Sequence, residues 1–406
     1  MVRYTKFYTH AFPAVGTEVG VQVDRIQSID ATAALNRDKN REVGRDGTID
    51  WAKKVPSISY RLAQKESQNI EFLEKLAGVA SGTTITQNSF NTSATDLLAY
   101  TVDDDAVTLG TIWYPKLRVA GFSLNTADPD AHLERSFDLV GEVAKEFQGT
   151  NKYLICLTET ADSGEVVTGD WTKTLTDPTP VVDPANAGVY MFRVTRVRSG
   201  TTTDLVTGSG ANQFEYSNAT HILTVHSAVV GDVYKVIYTA GSYIGATALF
   251  TNNNSDVGTT LAYNVSAFIG TTQLTRLQAC NIDIKFDRED WKEIGNKEVV
   301  QRGVKNKTVT ITLPRLLEAY TLEELLLGQS TGYGHIDIES FLDNLTFRFK
   351  IYETTSKATF AWGIKVSNCS PIDVKTSVSI DNYSNRDLTL ESEEFSISST
   401  EGVIDA

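Results

Sequence analysis

Residues 25–44 read RIQSIDATAALNRDKNREVG, and residues 276–295 read RLQACNIDIKFDREDWKEIG. Arg25, Gln27, Arg37, Glu42 and Gly44 recur 251 positions later as Arg276, Gln278, Arg288, Glu293 and Gly295, and most remaining pairs keep size or polarity. Working outward, Ser57-Ile-Ser lies on Thr308-Val-Thr and Leu62 on Leu313. With small shifts, Glu74-Lys-Leu-Ala-Gly78 falls on Glu324-Leu-Leu-Leu-Gly328, and Trp113 with Leu117-Arg-Val on Trp362 with Ile364-Lys-Val. Upstream, Val15-Gly-Thr-Glu sits above Ile269-Gly-Thr-Thr. A self-match of this length is the mark of one duplicated domain.

Each copy reads as a strand, a polar loop ending in Gly, a strand, a short helix ending in Gly, a hairpin around a Trp, and a last pair of strands. Val21, Val23, Ile282, Ile284, Phe347, Phe349 and Ile351 alternate with polar neighbours, so the strands have one buried and one wet face. Helix is scarce. Ser67 is the expected N-cap ahead of Ile70, Leu73 and Leu76, closed by Gly78, and Pro314 is expected to open a helix over 315–327 before Gly328. Between the copies, runs such as Tyr153-Leu-Ile-Cys-Leu, Met191-Phe-Arg-Val, His221-Ile-Leu-Thr-Val and Val233-Tyr-Lys-Val alternate with Gly/Ser/Thr/Asp turns, which predicts a small all-β module. The expected division is copy 1 over 1–148, the inserted module over 149–246 and copy 2 over 247–406.

The chain of 406 residues has 37 Lys and Arg against 51 Asp and Glu, a net charge of −14. A surface of that sign repels DNA and anionic membranes, which excludes a basic DNA reader. The first residues hold no uninterrupted apolar core of a signal peptide, and no stretch of ~18 apolar residues follows, so a soluble, cytoplasmically made chain is expected. Cys156, Cys280 and Cys369 are too far apart for a CxxC site and read as buried small hydrophobes.

No phosphate loop, dinucleotide fingerprint, nucleophile elbow or HExxH is present, and no catalytic residue, cofactor or metal is expected. His10, His132, His221, His226 and His335 read as structural or surface residues, with His221 and His226 on opposite faces of one strand. Asp128-Pro-Asp130-Ala-His132 has the best metal-like spacing, yet Asp-Pro-Asp is an ordinary turn; Asp103–Asp105 reads as a solvated loop.

Two long mixed-sign loops, 36–54 and 287–305, suit contact with a neighbouring subunit. Their candidate contact residues are Asn36, Arg37, Arg41, Glu42 and Gly44 in copy 1, and Asp287, Arg288, Lys292, Glu293 and Gly295 in copy 2.

The Arg-[Ile/Leu]-Gln run, the charged loop with Arg-x4-Glu-x-Gly, the Thr/Ser-rich strand, the one short helix and the final antiparallel pair resemble the tail tube domain of tailed bacteriophages. The layout is similar to long-tailed phage tube proteins that fuse two tube domains with an inserted sandwich. The resemblance covers about 1–148 and 247–406. It implies a mainly β fold, with two duplicated tail-tube-like β-sandwich/barrel domains, each with one short helix, and a small all-β, Ig-like insert. It implies a virion protein assembled in the host cytoplasm, stacking as rings into a tube through which DNA passes without specific binding. Six domain positions per ring would be filled by three chains, and the tape measure, terminator and distal tail proteins would be further partners. No membrane binding is expected. An acidic, motif-poor β-sandwich that binds carbohydrate or a receptor is the alternative, with Trp171, Tyr190 or Tyr216 as stacking platforms; a hydrolase with an acidic pair is the weaker one.

Overall fold

The computed structural model describes residues 6–15, 20–35, 37–40, 50–53, 56–65, 68–102, 108–126, 130–148, 153–179, 192–241, 260–291, 301–316, 326, 341–377 and 385–406. They form two compact units: Met1–Val23, Ser93–Leu117 and Val143–Asn253 in the first, Asp24–Thr92, Arg118–Glu142 and Asn254–Ala406 in the second. The fold is mainly β.

In the second unit, eight strands hydrogen-bond side by side, all antiparallel. Their order is β3 (Ile26–Ala34), β6 (Ser57–Lys65), β10 (Glu134–Gly141), the second half of β9 (Thr108–Thr126), β22 (Cys280–Trp291), β23 (Gln301–Leu316), β26 (Asn385–Ser392) and the second half of β25 (Phe360–Ser377). The alternation read in the sequence sets the faces. Ile58, Tyr60, Leu62, Phe137, Phe122, Ile282, Ile284, Ile311, Leu313, Leu388 and Leu390 are buried, while Ser59, Arg61, Asp138, Lys285 and Glu391 face water. Helix α1 (Glu71–Ala77) lays Phe72 edge-on to Phe137 at 4.9 Å and ends on Gly78, whose φ of 67° is left-handed territory that a Cβ would strain. A second sheet runs β21 (Thr272–Gln273), β20 (Val265–Ile269), β24 (Leu345–Tyr352), the first half of β25, β27 (Glu394–Ser398) and β7 (Ile85–Thr86). Helix α2 (Glu401–Asp405) follows β27 and sets Glu401 and Asp405 on Lys350. A separate hairpin joins β4 (Arg37–Asn40) to β5 (Asp50–Lys53).

In the first unit, β2 (Val21–Gln22), β1 (Lys6–Pro13), β8 (Thr95–Val102), the first half of β9 and β11 (Lys145–Gln148) form one sheet. The inserted module is all-β. Its order is β12 (Tyr153–Thr160), β19 (Val233–Ala240), β15 (Arg193–Arg198), β16 (Thr201–Thr207), β17 (Gln213–Ser217), β18 (Ile222–His226), β14 (Asp170–Thr174) and β13 (Val166–Val167), with β16 parallel to β17. Trp171 stacks on Tyr234 at 4.4 Å in a core with Val194, Phe214, Leu223, Val225 and Val236.

The duplication holds at the level of hydrogen-bond register. Copy 1 orders its strands β3, β6, β10, β9; copy 2 orders them β22, β23, β26, β25. Arg25 and Arg276 share a left-handed backbone, φ 55° and 63°, and their carbonyls accept from Lys65 and Leu316, again 251 apart. Bulges recur too: Lys116 and Asn368 both have φ 54°, and Ala120 and Ile372 are both extra residues beside the strand that follows β9 or β25 in register.

Several expectations are corrected. Trp113 does not correspond to Trp362: β8 pairs Leu98 with Trp113 where β24 pairs Arg348 with Lys365, an offset of 252 set by the shared bulge. Ile269 corresponds to Ala11 and not Val15, because β20 turns tightly at Gly270 whereas copy 1 takes a longer path from β1 to β2. Pro314, Arg315 and Leu316 are strand, not helix start. Proline fits there because its nitrogen lies beyond the end of β22, where its carbonyl accepts from Gln278 N–H. Leu326 is helical and buried, and the rest of the expected second helix lies outside the described residues. Helix α1 begins at Glu71, whose N–H is taken by Asn69 Oδ1, not at Ser67. His221 stands in a turn with φ 58°, ahead of β18.

Candidate subunit interface

Of the candidate contact residues, Asn36, Arg41, Glu42, Gly44, Lys292, Glu293 and Gly295 lie outside the described residues. Arg37, Asp287 and Arg288 are described, and they start two equivalent hairpin arms. In copy 1 Arg37 faces Lys53 and Asn40 faces Asp50; in copy 2 Arg288 faces Val304 and Trp291 faces Gln301. Each pair is its counterpart moved by 251, so the described ends of both charged loops are paired β-strands.

Arg37 and Asp287 are exposed. Arg288 is engaged with its own chain: its guanidinium donates to the carbonyls of Val119 and Phe90, the latter at 2.9 Å, and lies over the Phe286 ring. Arg288, named as a candidate subunit contact, thus has partners within its own chain. Its role is to staple the seam where copy 1 meets copy 2.

At that seam β9 pairs with β22 from Gly121↔Lys285 to Thr126↔Cys280. Phe286 packs on Phe90 at 5.1 Å, Lys307 reaches Asn88 Oδ1 at 2.8 Å, and Thr126 Oγ1 accepts from Cys280 N–H. The first strand of one copy has joined the last strand of the other. The same two kinds of strand end the sheet: among the described residues, β3 pairs only with β6, and the second half of β25 only with β26.

No family model and no curated protein matches this sequence. Among solved structures, the chain is similar to one in a cryo-electron-microscopy structure of the anti-feeding prophage baseplate, 6-fold symmetrised. That likeness has 11% identity and a TM-score of 0.27, over 35% of this chain and 93% of the other.

The module has its own interface, within the first unit. Leu98, Tyr100, Trp113 and Phe147 of the copy 1 sheet form one buried cluster with Leu154 and Ile237 of the module. Polar contacts surround it. Arg193 pairs with Asp96 and, at 3.0 Å, with Asp204, which Lys116 also holds; Lys235 Nζ donates to Pro13 O and the Tyr100 hydroxyl to Leu154 O. Burial pushes the Asp204 carboxyl up, but Arg193 and Lys116 hold it below its ordinary range. No sequence motif marks these residues; only the fold makes Asp96, Lys116, Arg193 and Asp204 neighbours.

Other candidates resolve as follows. Trp171 is fully buried, its Nε1 donating to Glu165, so it is no stacking platform; Tyr190 lies outside the described residues. Tyr216 lines an open hollow of about 500 Å³ with Phe192 and Glu215. Asp128 and Asp103–Asp105 lie outside the described residues, and His132 bridges to Leu261. Cys280 and Cys369 are buried; burial pushes the thiols of Cys156 and Cys369 up to about 12.

Proposed function

We propose that this chain is a structural protein of a phage-type tail that assembles head to tail into rings, stacked as a hollow tube. The observation that carries the reading is the single eight-stranded sheet made by two copies, whose unlike end strands have no outer partner among the described residues. A heterologous joint of that kind repeats between molecules and closes a ring when its rotation divides the circle. In the family that the sequence resembles, three two-domain chains would fill six positions. Closure removes the exposed edges, which a lone molecule would offer to any passing strand.

The wet face of this sheet suits a lumen through which DNA slides. It carries Asp30, Glu134, Asp138, Asp283, Asp287, Asp373, Asp387 and Glu391 against Arg61, Lys65, Arg118, Lys285 and Lys375, so the excess of acid repels phosphates more than it holds them. On this reading the arms of both copies would contact a neighbouring ring. On this reading no catalysis is involved.

Negative-stain microscopy of the purified chain tests it. The expected images are rings or tubes with threefold and near-sixfold symmetry. A monodisperse monomer at every concentration and salt, or six chains per ring, refutes it.

A further inference from the structure

We propose that β3, whose outer edge has no partner among the described residues, pairs with the second half of β25 of another copy in one defined register, Thr32 opposite Lys375, locked by Leu35 just past β3 and Arg37 at the start of β4. The proposal rests on the ring reading above and specifies its joint.

The seam inside the chain is the template. Counterparts differ by 251 between β3 and β22, and by 252 between β9 and β25. Carrying Gly121↔Lys285, Ser123↔Asp283 and Asn125↔Asn281 across gives Asp373 opposite Ala34, Lys375 opposite Thr32, and Ser377 opposite Asp30. Both members of each pair then lie on the same face of the sheet, as they must, since a one-residue slip would turn every side chain over.

The residues at the two edges fit this register. On the other face Ala31 and Ala33 of β3 and Leu35 just beyond it are all exposed, with Leu35 59% exposed although its counterpart Phe286 is 4% exposed against Phe90. Ile372, at the β25 bulge, is 54% exposed. Nine residues of β3 without Lys, Arg or Pro leave the edge unguarded, which natural sheets avoid unless the edge is covered. Lys375 would lie diagonal to Asp30, a favourable cross-strand pair. Pro371 sits just outside the proposed ladder, where its missing N–H costs nothing. Arg37 holds the place of Arg288, which donates to Val119 O; the counterpart of Val119 is Pro371, whose carbonyl is the acceptor we assign to Arg37 of the next chain.

The test is disulfide trapping with the full chain. Thr32→Cys combined with Lys375→Cys should give covalent dimers and closed trimers on oxidation of assembled material. Thr32→Cys with Asp373→Cys, two residues out of register, should give none. Ser123→Cys with Asp283→Cys is the positive control, closing within one chain without a change of mass. Arg37→Ala should melt with the parent yet raise the concentration needed for assembly about tenfold or more, the effect of losing charge-assisted hydrogen bonds. If the parent forms rings but the trap closes only out of register, or Arg37→Ala assembles as the parent does, the lock is wrong and the ring reading stands. If the parent never forms rings, both fall.

Discussion

Removing residues 149–246 and joining the ends with a Gly/Ser linker would uncover the face of the copy 1 sheet on which the module sits. Leu98 is 0% exposed, Tyr100 1%, Trp113 3% and Phe147 4% in the intact chain. At about 2 kcal/mol for each large apolar side chain, the upper limit of the loss is on the order of 8 kcal/mol, comparable to the whole stability of a small domain. Asp96 also loses Arg193, although it still accepts from Lys116 N–H at 2.7 Å. Copy 2 carries polar residues on the matching face, where helix α2 lies in place of a module. By register the counterparts of Leu98, Tyr100, Trp113 and Phe147 are Arg348, Lys350, Lys365 and Ser398. The plain deletion is therefore expected to aggregate or bind a hydrophobic dye and to melt far below the parent. The same deletion carrying Leu98→Arg, Tyr100→Lys, Trp113→Lys and Phe147→Ser should be soluble and melt cooperatively. Size-exclusion chromatography with dye binding and thermal melting reads both. A plain deletion as soluble and as stable as the repaired one would refute the reasoning, because the module would then contribute nothing to covering that face.

Two further outcomes are expected. Burial lowers the His10 imidazole from 6.5 to about 4, so the unfolded chain takes up a proton that the folded chain refuses, and stability falls as pH drops from about 6.5 to about 4. At about 1.4 kcal/mol per pH unit the loss approaches ~3 kcal/mol; His10→Leu should flatten urea midpoints across that window relative to the parent, and an unchanged slope would remove His10 as the cause. Arg288→Ala should lower the unfolding free energy by about 3 kcal/mol, since two backbone carbonyls at the seam lose a charged donor. A denaturation midpoint equal to the parent's would mean that the seam does not need the staple.

The sequence by itself determined the duplication, the mainly β class, the strand faces and the helix ending at Gly78. These follow from local chemistry: alternation with period two, a glycine in left-handed backbone, and residue types that recur at a constant spacing. Tertiary structure alone decided the register of the β9 and β25 hairpins, where a bulge shifts the match so that Trp113 answers to Lys365, and the strand state of Pro314. It also decided that Arg288 is bound within its own chain while Arg37 is exposed. These two arginines are equivalent in sequence and in local hairpin geometry, and they differ only because β22 has a neighbouring strand in the same chain and β3, among the described residues, has none on that side. Strand neighbours are set by contacts remote along the chain, and a hydrogen-bonding edge looks the same in sequence whether or not another strand lies against it.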